Sequence, residues 1–141
     1  MSDALKLALT AVFGVAVFVV GQIIQRLFIE PIQEQRKVRG RIAHALLFHA
    51  NATARVTMGV TAEEHAEMYK ELRGLAAELR ASQTVIPFYK LTAALFRLPR
   101  IAAIEKASTN LMGWANGLAH GNDNIDRRRA IAEALRIPFT G

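Results

Sequence analysis

Cysteine is absent from this chain, which excludes a disulfide scaffold, a Cys-ligated metal domain and a cysteine nucleophile. Charge is sparse at 21% of the 141 residues, and aromatics make up 7%. With 52% hydrophobic residues beside that low charge, a disordered chain is excluded as well. No run of alternating apolar and polar residues reads as a strand, and no hairpin dipeptide separates two such runs. There is no internal repeat and no low-complexity tract. Proline occurs four times, at Pro31, Pro87, Pro99 and Pro138, and each one punctuates a helical pattern. The length allows one domain of ordinary size.

What is present in quantity is one long apolar run. Leu5 to Ile24 reads LKLALTAVFGVAVFVVGQII, twenty residues whose single charge, Lys6, lies near the outer end. At about 1.5 Å per residue such a helix spans roughly 30 Å, the thickness of a bilayer's hydrocarbon core. A helix satisfies its backbone hydrogen bonds internally, so it can reside in lipid. Lys6 can snorkel to one interface, while Gln22, Gln25 and Arg26 mark the other rim, with Phe28 as an interfacial anchor. Two other readings compete: the buried central helix of a soluble bundle, and a signal peptide cut near Gln22. Against the first, no other segment is as apolar for as long. Against the second, no Ala-x-Ala site occurs, and apolar residues continue past the cut at Ile23, Ile24, Leu27, Phe28, Ile29 and Ile32.

The flanks set the expected orientation. Asp3, Lys6 and the terminal amine precede the span, while Arg26, Arg36, Lys37, Arg39 and Arg41 follow it. The positive-inside bias therefore predicts a single-pass protein of the bacterial inner membrane, its N-terminus outside and its C-terminal part cytoplasmic. Along the span, Ala4, Leu7, Ala11, Gly14, Phe18 and Gly21 recur at heptad spacing. The small members Ala11, Gly14 and Gly21 let a second backbone approach closely, so they are the candidate helix–helix contact for a homo-oligomer.

Past the span the periodicity is helical throughout. Glu30-Pro31 predicts a kink or short break, followed by a helix to about Ala54. Its first part, Gln33 to Arg41, is polar and basic and is expected against lipid headgroups. Its second part, Ile42 to Ala50, is apolar nearly all round and is expected inside a core. Thr61-Ala62-Glu63-Glu64 has the form of a capping box, opening a helix to about Ser82. In that helix Met68, Leu72, Leu75, Ala76 and Leu79 form one stripe, and Glu63, Glu67 and Glu71 an acidic ridge with Lys70 the nearest base. Pro87 opens a helix over Phe88 to Leu98, and Pro99 opens another over Arg100 to about Leu118. The latter turns Ile101, Ile104, Leu111, Trp114, Ala115 and Leu118 one way. Asn122, Asp123 and Asn124 supply turn chemistry before a last helix to Arg136 that buries Ile131, Ala134 and Leu135, and Pro138 ends it. The expected architecture is all-α: a transmembrane helix and its rim over 1–29, a basic juxtamembrane segment over 30–41, and a cytoplasmic domain over 42–141. Short loops suit an antiparallel bundle of four to five helices.

No set of residues spells out a catalytic site. His44 and His49 are five apart, not the four that a zinc pair on one helix wants. The residues three before the four histidines are Arg41, Leu46, Ala62 and Gly117, so no Glu-x-x-His pair exists. No nucleophile elbow, Walker loop or dinucleotide fingerprint occurs. No metal and no cofactor are expected. Gly113 and Gly117 lie one turn apart beside Trp114; a tight intramolecular contact, with Gly117 or Gly121 ending the helix, is favoured there over a close helix crossing or a ligand slot. The cluster Arg36, Lys37, Arg39 and Arg41 sets topology and is the candidate contact for anionic lipid headgroups. Arg127, Arg128 and Arg129 add a second basic run, but acids are interleaved and no aromatic platform accompanies it, so nucleic acid is not the expected partner. Asn51-Ala52-Thr53 matches the glycosylation pattern, which a cytoplasmic location would make irrelevant.

The run FIEPIQEQRKVRGRIAHALLFHAN, then LRASQTVIPFYKL and LMGWANGL, resembles a family of short bacterial single-pass membrane proteins to which no activity is attached. The resemblance implies a bacterial, membrane-tethered protein and transfers no functional residue. The functional expectation is a non-enzymatic module that recruits partners at the cytoplasmic face. The alternatives are a small oligomeric membrane effector (a pore subunit or exclusion factor) and an enzyme whose site forms only across helices.

Overall fold

The computed structural model describes residues 2–49, 61–118 and 125–138, and among these the fold is all-α with no strand. Helix α1 covers Asp3–Ile24, a π-helical turn follows over Gln25–Ile29, and α2 runs over Glu30–Phe48. Helices α3 (Ala62–Val85), α4 (Tyr89–Phe96), α5 (Ile101–Leu118) and α6 (Ile125–Leu135) complete the described chain.

From Asp3 to Phe48 the chain is a single continuous rod, long and apolar enough in its first part to cross a membrane, with no buried residue in α1. Of the kink or short break expected at Glu30-Pro31, the break does not occur, and a local widening of the helix stands just before it. A proline inside a helix lacks a donor and drives its ring at the carbonyl four residues back, here Leu27. The π turn accommodates that insult just ahead of Pro31, with the Glu30 N–H bonded to the Gln25 carbonyl.

The bundle is a ring of four antiparallel helices. Helix α2 packs on α3 and α6, and α5 packs on the same two. Bonds between chain-distant residues give the directions. Arg41 meets Glu78 and His49 meets Glu71, so α3 descends as α2 rises. Arg39 reaches Leu135 and Arg128 reaches Leu46, so α6 descends as well. The core contains Ile42, Leu46, Leu72, Leu79, Ile104, Leu111, Trp114, Ile131 and Leu135, all essentially inaccessible. Burying each such side chain contributes roughly 1.5–3 kcal/mol relative to leaving it exposed.

Two features of α2 differ from the sequence reading. Its buried stripe begins at Ile32 and continues through Gln35, Val38 and Ile42, so one side of the basic segment is itself part of the core. Its apolar second part is two-faced rather than wholly buried: Leu47 and Phe48 are 58% and 68% exposed. The helix stops at Phe48, with His49 in a short 3-10 turn, and the expected continuation to Ala54 lies outside the described residues. The asparagine-rich turn at 122–124 and the Asn51 pattern lie outside them too.

Helix ends follow local chemistry. At Thr61 the capping box is complete: the Glu64 N–H donates to Thr61 Oγ1 at 3.3 Å, and the Thr61 N–H to Glu64 Oε2 at 3.2 Å. The ends of α4 and α6 are alike. Leu98 N–H reaches back to Ala93 O at 2.9 Å and Ile137 N–H to Ala132 O at 2.8 Å. Each such closure needs a left-handed residue, the usual place for glycine. Here arginines hold both positions, Arg97 and Arg136, each at φ 54°.

Candidate functional site

The end of the bundle from which α1 emerges forms a floor. Phe28, read from sequence as a rim anchor, is half-buried and packs on the bundle core. Pro31 and Val38 on α2 share a groove with Ser82 and Val85 at the end of α3. Helix α4 lies at this same end. Tyr89 Oη accepts a hydrogen bond from Gln35 Nε2 at 2.8 Å and donates to the Pro99 carbonyl at 2.7 Å, joining α2, α4 and the entry to α5. Burial raises the Tyr89 pKa above the usual phenol value, only partly offset by the Gln35 bond and the nearby Arg39.

The turn into α4 is unusual for its sequence. Ile86 plugs into the core, Thr92 Oγ1 donates back to the Pro87 carbonyl at 2.9 Å, and Phe88 adopts the left-handed conformation at φ 49°. A bulky aromatic rarely sits there. Tyr89, Thr92 and Ala93 then face inward. The opposite face carries Phe88, Leu91 and Leu95, exposed by 80%, 71% and 73%, with Val85 beside them. Helix α4 is thus apolar on both sides, and one side is uncovered.

Beside that face lies a cleft of about 360 Å³ that Lys90, Arg97, Arg100 and Arg136 line, with Tyr89 among its walls. None of the residues lining it is acidic. The local field is positive further in as well: Arg39 has its pKa held below the usual arginine value, by burial first and then by Arg36 and Arg136.

The sequence-derived candidates fall in different places. Arg36 is exposed. Lys37 is exposed and pairs with Glu34 at 3.1 Å. Arg39 is half-buried and donates to the Leu135 carbonyl at 2.6 Å, at the carboxyl end of α6. Arg41 forms a two-bonded pair with Glu78 across α2 and α3. Ala11, Gly14 and Gly21 lie on the fully exposed α1, and a methyl group added at Gly14 or Gly21 would meet nothing within 4 Å. In the second basic run, Arg128 is buried, donates to the Leu46 carbonyl at 3.2 Å and covers the Trp114 ring at 5.7 Å. The Arg127 guanidinium lies over Gly113, so a Cβ there would require this exposed, flexible side chain to move aside.

The histidines are dispersed. His44 is exposed and stacks on Phe48; His49 bonds Glu71 at 3.0 Å and meets the Trp114 ring edge-on; His65 is half-buried; His120 lies outside the described residues. Among the described residues no three metal-ligating side chains converge.

Sequence reasoning missed the uncovered face of α4 and the basic cleft. The signal was there in the interleaving of Phe88, Leu91 and Leu95 with Lys90, Arg97 and Arg100, but the segment reads only as a short helix, with no face assigned. Comparison of the chain with protein-family models, with curated proteins and with solved structures finds no match.

Proposed function

We propose that this chain is a membrane-anchored interaction module: α1 crosses a bacterial inner membrane, and the bundle stands at its cytoplasmic face, where it recruits or organises a protein partner. The observation that carries the reading is the continuity of an entirely exposed, apolar α1 with α2, whose lower half is already a wall of the bundle. A twenty-residue, predominantly apolar helix left bare in water would be strongly unfavourable, and lipid is the solvent that suits it. Anionic headgroup contact by Arg36, Lys37, Arg39 and Arg41 belongs to the proposal. Of these, Arg36 and Lys37 present their charges outward, whereas Arg39 and Arg41 also serve bonds within the bundle.

A reporter fused after Gly141 tests the orientation, together with carbonate washing of membrane vesicles. The expected result is a carbonate-resistant chain whose reporter is active only in the cytoplasm. Export-dependent reporter activity, or release of the full-length chain by carbonate, would overturn the reading.

A second reading, a small oligomeric membrane effector, draws on the open surface around Gly14 and Gly21, where a neighbouring helix could lie backbone to backbone.

A further inference from the structure

We infer that α4 is an interfacial helix: its uncovered face enters the headgroup layer of the membrane that α1 crosses, and its basic cleft takes the phosphates of anionic lipid. The inference rests on the membrane-anchored reading of α1 and adds a second point of attachment.

Position is the first support. Phe28 packs on the bundle core only four residues beyond Ile24, and Pro31 shares a groove with Val85. At about 1.5 Å per residue, the rise from Ile24 to Pro31 is roughly 10 Å. The floor of the bundle therefore meets the layer of headgroups as α1 leaves the hydrocarbon. Helix α4 is part of that floor, since Tyr89 is bonded to Gln35 on α2.

Amphipathic chemistry is the second. Leu91 and Leu95 are four apart on α4 and so share one side of the helix, and the exposed Phe88 precedes them at its N-cap. A contiguous apolar face of this kind marks a contact surface. Continuity with the apolar span and the adjoining cationic cleft select a lipid surface as its occupant. Lys90, Arg97, Arg100 and Arg136 flank the apolar side with no acid among the residues lining their cleft. An in-plane helix with aliphatic and aromatic residues below and basic ones beside them partitions into anionic membranes on both counts.

Backbone conformation is the third. Phe88, Arg97 and Arg136 are the non-glycine residues with positive φ among the described residues, and all three lie at this face or this cleft. Glycine would adopt those angles at lower cost. Their side chains are what a membrane contact needs: one aromatic and two guanidinium groups.

The absence of cysteine makes a direct test clean. Leu91→Cys in the full chain, carrying an environment-sensitive label, reports on the floor. Leu47→Cys, on the exposed far end of α2, is the control. Both are reconstituted in nanodiscs of phosphatidylcholine alone or with phosphatidylglycerol, with brominated acyl chains as quencher. The expected result is a blue-shifted label at position 91 that brominated lipid quenches, more strongly with phosphatidylglycerol, and an unaffected label at 47. In a Lys90→Gln/Arg97→Gln/Arg100→Gln background the docked-to-undocked ratio should fall by about five-fold per charge removed. Chain seated in the disc with a water-exposed label at 91 overturns this inference while leaving the anchor intact. Chain that enters no disc overturns the anchor, and this inference with it. Equal quenching in both lipids overturns the anionic assignment. A label shielded in detergent in proportion to protein concentration gives the face to a second copy of the chain, and so also overturns it.

Discussion

Arg39 and Arg128 cap each other's helices. Arg39 on α2 donates to the Leu135 carbonyl that ends α6, and Arg128 on α6 donates to the Leu46 carbonyl in the last turn of α2. The last four carbonyls of any helix lack partners within it, and the helix dipole leaves that end negative. Antiparallel packing brings each arginine beside the partner helix's open end, so one pairing of helices satisfies both. Arg128→Met should therefore lower stability by about 1.5–3 kcal/mol, from loss of a charge-assisted bond to a buried carbonyl. Arg128→Lys should recover little of it, because an ammonium cannot both lie over Trp114 and fork toward Leu46. Urea unfolding of the detergent-purified variants measures both. Full recovery in the lysine variant would contradict the assigned geometry.

Tyr89 gives the bundle an alkaline limit. Its folded-state pKa is raised by burial. Below the ordinary phenol value of about 10, the group is neutral in both folded and unfolded chains, and its contribution is complete. Above that value the unfolded chain loses the proton first, so stability declines until the folded phenol titrates in turn. Tyr89→Phe should flatten that decline. At neutral pH it should cost about 1–3 kcal/mol, because Gln35 Nε2 and the Pro99 carbonyl lose their partner. Thermal melts of both proteins between pH 7 and about 11 would show it; parallel profiles would count against it.

Trp114 is 2% exposed, with the His49 ring against its edge and Arg128 across its face. Trp114→Ala should destabilise by about 3–5 kcal/mol through the cavity it leaves. A variant that melts with the parent would refute this packing.

Substitution in α1 addresses assembly separately from folding. A Cβ added at Gly14 or Gly21 meets nothing within 4 Å beyond its own helix, so Gly14→Leu and Gly21→Leu leave the bundle untouched. Bundle stability should be unchanged, and any cross-linked oligomer formed through this stripe should disappear from membranes. Persistence of the oligomer would remove Ala11, Gly14 and Gly21 from the contact.

Much of the architecture was legible because it rests on local rules. Thr61 and Glu64 announce their capping box in four residues. Met68, Leu72, Leu75, Ala76 and Leu79 repeat at helical spacing and are buried together. Trp114, Leu111 and Ile104 behave the same way on α5. What was hidden depends on neighbours distant in sequence. Gln35 reads as a polar surface residue, yet it is fully buried because Tyr89, 54 positions away, offers it a hydroxyl. Leu47 and Phe48 read as core but point outward, since a single helix face is enough to fill the ring. Pro31 reads as a kink or a short break, and the wider turn at Gln25–Ile29 lets the helix continue past it. The floor was least visible of all, because exposure of Leu91 and Leu95 is decided by which side of α4 the bundle occupies.

The unbroken rod from Asp3 to Phe48 has a mechanical consequence. At about 1.5 Å per residue its 46 residues extend to roughly 70 Å, and under the proposed anchoring about half would lie within the bilayer and half in the bundle's wall. Without a flexible joint, the angle at which the buried half leans is inherited by everything above it. A thinner bilayer, which makes a long span lean further, would swing the whole head like a lever and press or lift one side of its base. Under the proposed anchoring, membrane thickness would thus become a variable that the head reports.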